Sequence, residues 1–156
     1  VAEDSIREQI LDFIFEQLLE LKAKKDPVLA YVHRGIMDEV GLNLLAATQF
    51  PAACLAGYLP MPTPHNQGRA PGSADRFISE LRAQIMVYGR EVSDPDIWIS
   101  SIADDLWAKL HESPTKGNLL SHLRIDFADA TPRYQRPYTY FTVTIYGTYT
   151  HGTGGI

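Results

Sequence analysis

A single cysteine, Cys54, leaves this chain without an internal disulfide partner and without the thiolates of a structural metal cluster. It lies in the apolar run Pro51–Ala56, where a small, inert, buried thiol is expected rather than a nucleophile. No apolar stretch approaches the ~18 residues of a membrane span, so no membrane partner is expected. The first residues are acidic and amphipathic, wrong for a secretory signal, and folding in a reducing cytosol is the expectation. Positive charge is also scarce. Fourteen Lys and Arg stand against nineteen Asp and Glu, for a net charge of −5. That balance argues against a protein that wraps DNA by neutralising phosphates, which needs clustered Lys and Arg, and leaves room for one past which DNA slides without sequence-specific binding.

The usual signatures of chemistry are missing too. There is no Walker A loop, no G-x-G-x-x-G and no G-x-S-x-G. His33, His65, His111, His122 and His151 are scattered over five elements without ligand spacing, although His111 and His122 flank one loop; surface histidines are expected. Asp104 and Asp105 are adjacent and point to different sides of a helix, so a solvated face explains them better than an acid–base pair. The Gly152–Gly155 run precedes no helix and cannot cradle phosphate. Trp98 and Trp107 fall on the apolar side of a helix and are expected in the core. The expectation is a structural protein, not an enzyme, with no catalytic residue, metal or cofactor.

What is present is a readable series of elements. Ser5-Ile-Arg-Glu8 has capping-box form, and Ile6, Ile10, Phe13, Ile14, Leu18 and Leu21 recur at helical spacing up to the stop at Asp26-Pro27. Val28–His33 and Phe50–Ala56 read as short strands; 34–49 stays open between a helical turn and an anchored loop. Tyr58–Ala74 carries four of the ten prolines (Pro60, Pro62, Pro64, Pro71) and is expected to be irregular. A loop that long in a compact domain is usually functional or disordered.

Arg76–Arg90 alternates with period two, placing Leu81, Ala83, Ile85 and Val87 on one face and Glu80, Arg82, Gln84 and Arg90 on the other. Asp94 as N-cap and Pro95 at the first helical position open a helix whose apolar side includes Ile99, Ile102, Leu106 and Leu110. Leu119–Ala128 reads as a strand and Pro132–Pro137 as a turn. Tyr138–Tyr149 is the strongest strand, with Phe141, Val143 and Ile145 on one face and Tyr138, Tyr140, Thr142, Thr144 and Tyr146 on the other. Residues 150–156 read as a flexible tail.

The order α–β–β–(long loop)–β–α–β–β implies an α+β fold. One domain over residues 1–156 would hold a mostly antiparallel sheet flanked by two main helices. The Tyr/Thr face of the last strand suits a protein interface, which makes Tyr138, Tyr140, Thr142, Thr144 and Tyr146 the candidate contact residues.

Taken together, these segments resemble the tail terminator (tail completion) proteins of long-tailed bacteriophages. The resemblance rests on the N-terminal helix before two strands and on Phe50-Pro51-Ala52-Ala53, similar to the family's Leu-Pro-Ala-type strand start. It continues through the helix exit Leu106–Leu120 and the closing aromatic, β-branched strand. It implies a virion protein, folded in the host cytoplasm, that forms a homohexameric ring at the head-proximal end of the tail. Such a ring ends tube polymerisation, meets the tail tube protein and the head–tail connector proteins, and lets DNA through its lumen. By the same resemblance the loop residues Tyr58, Met61, His65 and Arg69 are candidates for gripping a neighbouring ring. A head–tail connector or tube subunit is the nearest alternative, and a small-ligand-binding α+β domain the more distant one.

Overall fold

The computed structural model describes residues 5–25, 27–58, 67–69, 76–127, 133–135 and 137–152. The first helix, α1 (Ile6–Lys22), begins where Ser5 Oγ accepts the Glu8 amide at 3.2 Å. Its apolar spacing buries Ile10, Leu11, Ile14, Leu18 and Leu21. The Glu8 carboxylate reaches away from the cap, 2.9 Å from the guanidinium of Arg34 and 3.0 Å from that of Arg7. It thereby ties α1 to the first strand.

Among the described residues seven strands form the sheet: β1 (Tyr31–Arg34), β2 (Ala52–Tyr58), β3 (Gln67–Arg69), β4 (Arg76–Arg90), β5 (Ser121–Asp126), β6 (Arg133–Gln135) and β7 (Tyr138–Gly152). Its main path runs β1-β2-β4-β7-β5, with β3 beside β4 and β6 beside β7. All pairings are antiparallel except β1 with β2. The α+β class with a mostly antiparallel sheet is therefore as expected. A parallel neighbour needs a long return connection. Here it is the 35–51 stretch, which holds the short helix α2 (Glu39–Leu44) and a single 3-10 turn (Ala47–Gln49).

The spine of the fold is the β4–β7 pair, in register from Arg76 opposite Gly152 to Arg90 opposite Tyr138. One face of this spine carries the main core. Leu81, Ala83, Ile85 and Val87 of β4 and Phe141, Val143 and Ile145 of β7 pack with α1 and with α3 (Pro95–His111). Asp94 caps α3 as expected, accepting the Ile97 amide. The two helices are joined by Gln17 Nε2, which donates to the Lys109 carbonyl at 2.9 Å, and by the ion pair of Lys109 with Glu20; Lys109 also pairs with Glu112 at the end of its own helix. At Gly147 a side chain has no room, because an added Cβ would stand 2.5 Å from Leu120 Cδ1.

Several expectations need correction. Tyr58–Ala74 is not irregular throughout: Tyr58 closes β2, and Gln67–Arg69 pairs with Phe77–Ser79 of β4. The proposed turn 132–137 contains β6, whose Arg133 lies opposite Tyr140. Thr150, His151 and Gly152 do not belong to a flexible tail: they stay in β7 opposite Ile78, Phe77 and Arg76. Residues 153–156 lie outside the described residues. Trp107 is not a core residue: at 49% exposure it stacks on His111 and Phe127 at the rim.

Candidate assembly face

The second face of the sheet, opposite α1 and α3, is built by the even-numbered residues of β4 and β7. Register sets them in rows across neighbouring strands. Tyr88 lies opposite Tyr140, Met86 opposite Thr142, and Gln84 opposite Thr144 and on to Asp126 of β5. Arg82 lies opposite Tyr146, which lies opposite Arg124 of β5.

One end of this face is covered. Leu42, Cys54, Tyr88 and Tyr138 form a second apolar cluster, joined by Met37, Leu45, Phe50, Met86 and Tyr140. Phe50 stacks on Tyr138 at 5.6 Å, and the Tyr138 hydroxyl donates to Asn43 Oδ1 at 2.5 Å. Tyr138 is consequently only 3% exposed and belongs to the interior, not to a contact surface. Cys54 is buried in the same cluster, and burial pushes its thiol up to about 11, so at neutral pH it is not a thiolate. Burial likewise pushes the Tyr88 hydroxyl up to about 12.

The other end is open. The Arg124 guanidinium carbon stands 4.4 Å from the centre of the half-buried Tyr146 ring, and Arg82 is exposed on the neighbouring strand. Glu80 and Asp126 occupy the rows to either side and are half-buried. Thr144 is buried in the middle of the face, while Tyr140 and Thr142 are half-buried. Of the five candidate contact residues, only Tyr146 stands in the basic row. Arg82 and Arg124 were missed because only the strand register reveals them as neighbours of Tyr146.

Tyr58 ends β2 opposite Arg82, and Arg69 of β3 lies opposite Phe77. Met61 and His65 lie outside the described residues.

Far along the helix-side face, Ser79 Oγ and His151 Nε2 share a hydrogen bond of 2.6 Å. Both residues are buried, so His151 is not the surface histidine expected from sequence. The Tyr149 ring lies 5.6 Å from that of His151, and its hydroxyl is shifted upward by burial against the influence of Arg7 and Ser79. A serine hydroxyl on an imidazole has the geometry of an activated nucleophile. Ser79, however, is fully buried. The pair is a structural tie between β4 and the end of β7. His151→Ala is expected to cost about 1–3 kcal/mol by leaving a buried hydroxyl without this partner. Urea melts of His151→Ala, Ser79→Ala and the double variant test it: the double should cost less than the sum of the singles, and additive losses would refute the tie.

Among the described residues no three His, Cys, Asp or Glu side chains converge as a metal site requires, and no helix is long and apolar enough to cross a membrane. No model of a known protein family matches the sequence, and no curated protein matches it.

Proposed function

We propose that the chain is a structural subunit of a bacteriophage tail that assembles into a closed ring, most consistent with a tail terminator. The observation that carries this reading is the half-open second face of the sheet. Its Tyr138 end is closed by the chain's own α2 segment, and at its other end Arg82 and Arg124 are exposed on either side of the half-buried Tyr146. A row of arginine and aromatic side chains on a rigid sheet has the composition of a protein contact surface.

In this reading the chain turns over no substrate. The ring sits at the head-proximal end of the tail, between tail tube protein and head–tail connector, and the chain's net charge of −5 keeps the lumen from retaining DNA. The expected assembly is a homohexamer.

Light scattering coupled to size exclusion, followed by negative-stain electron microscopy of the purified protein, tests the proposal. Discrete rings that do not stack are the expected outcome. Open-ended tubes would reassign the chain as a tube subunit, and a monomer at every concentration reached would overturn the ring.

A further inference from the structure

We infer that the ring contact, whose existence rests on the reading above, is made by the α2 ridge of one copy seated on the Arg82–Tyr146–Arg124 row of the next. The ridge is Val40 and Leu44, one turn apart on α2, together with Ile36 in the segment that leads into it; they are exposed at 66%, 81% and 63%. Single exposed aliphatic side chains are ordinary on a protein surface. Three close together in the chain, exposing on the order of 300 Å², are comparable to the largest patch of a typical monomer, and two of them, Ile36 and Leu44, line one groove. Leu42 of the same helix points the other way, into the second cluster, so the ridge is the side of α2 that its own fold leaves uncovered. A groove of about 460 Å³ separates it from Tyr31 and His33 of β1.

The occupant follows from charge and from position. Asp38 and Glu39 are exposed beside the ridge and make no ion pair among the described residues. The row on the open face presents two exposed arginines flanking one tyrosine. An apolar ridge with acid at its side thus meets an aromatic row with arginine at its side. Glu80 and Asp126 in the rows alongside penalise any seat other than the central one.

The ridge and the row lie on the same face of the sheet. The ridge lies beside β1, at one end of the strand order, and the row extends to β5 at the other. A second copy can therefore set the acidic-flanked ridge on the exposed arginine row, in a head-to-tail contact that closes into a ring when the rotation allows. The strand edges agree. The Tyr31 and Gly35 amides donate to Pro51 and Leu55, so by the period of two the Val32 and Arg34 amides face away from β2. Beyond β7, β5 has no other strand partner among the described residues.

The test uses two exposed positions, Leu44→Glu on the ridge and Arg124→Glu on the row. Each alone is expected to weaken assembly by about tenfold or more, since each buries an unpaired charge in the contact, with thermal unfolding of the subunit unchanged. Mixed together, the two variants are expected to form dimers and no rings, because one intact ridge then finds one intact row. Wild-type rings that both variants reproduce would overturn this contact and leave the ring reading standing. Loss of assembly in Leu44→Glu with normal rings in Arg124→Glu would overturn the ridge-to-row pairing and seat the ridge on a different surface of the next copy. A wild-type chain that never assembles would overturn both.

Discussion

Phe141→Ala is expected to be the most damaging truncation in the main core, at roughly 3–5 kcal/mol. Phe141 is fully buried in the main core on the helix-side face of β7, and its ring meets Trp98 edge-on at 5.5 Å and 83°. Such an aromatic pair adds about 0.5–1.5 kcal/mol to what area burial contributes. The site is poor at collapsing, because Phe141 lies opposite Val87 within the longest strand pair, with paired residues on either side, and neither backbone is free to move inward. For a domain of this size the loss corresponds to roughly 6–20 °C in melting temperature. The effect reaches the assembly surface as well, since Phe141 and Tyr146 are carried on one strand and loosening β7 displaces the basic row. Calorimetry on the purified variant checks the stability. A fall of less than about 1 kcal/mol would show that the two helices close over the vacancy and that this core is softer than its burial implies.

The elements that were legible in the sequence are those whose signal is complete within themselves. The period-two alternation of 76–90 places Leu81, Ala83, Ile85 and Val87 under the helices without reference to any other segment, and the structure keeps both ends of that strand. The Asp94-Pro95 start of α3 and the Ser5 cap of α1 are similarly local. By contrast α2 buries only Leu42, so 34–49 has no periodicity to read. Tyr138 has the parity of an outward residue and is covered because Phe50 and Asn43 arrive from far away in the chain. The last strand outruns its sequence pattern because its partner extends to Arg76 and pairs whatever lies opposite. The candidate site was half legible for the same reason. Tyr146 is visible as one of an alternating series, whereas its two arginines come from strands before and after it in the chain.

The remaining large effect is a dependence on pH through Lys116. This side chain is fully buried in the turn after α3, and its Nζ donates to the Leu110 carbonyl at 2.5 Å, where a cation also complements the negative end of the helix. Burial pulls its pKa down from 10.5 to about 8. Below pH 8 both folded and unfolded chains carry the proton, and the folded state bears the cost of an enclosed charge. Between pH 8 and 10.5 the folded chain has released the proton and the unfolded chain still holds it, so stability rises with pH across that window. The expected gain is about 3 kcal/mol. Cys54 and Tyr88 act in the opposite sense. Their folded values of about 11 and about 12 lie above the unfolded ones, so their contributions decline as pH rises past 9 and 10 respectively. The wild-type curve alone therefore mixes rising and falling parts. Lys116→Met keeps the volume and removes only the titrating group, leaving Cys54 and Tyr88 to act equally in both proteins. Urea unfolding at pH 7 and pH 10.5 is expected to show the wild type gaining about 3 kcal/mol on the methionine variant between those two conditions. Parallel stability curves would mean that the ammonium is solvated or paired in solution, and that the turn after α3 opens far enough to let water reach it.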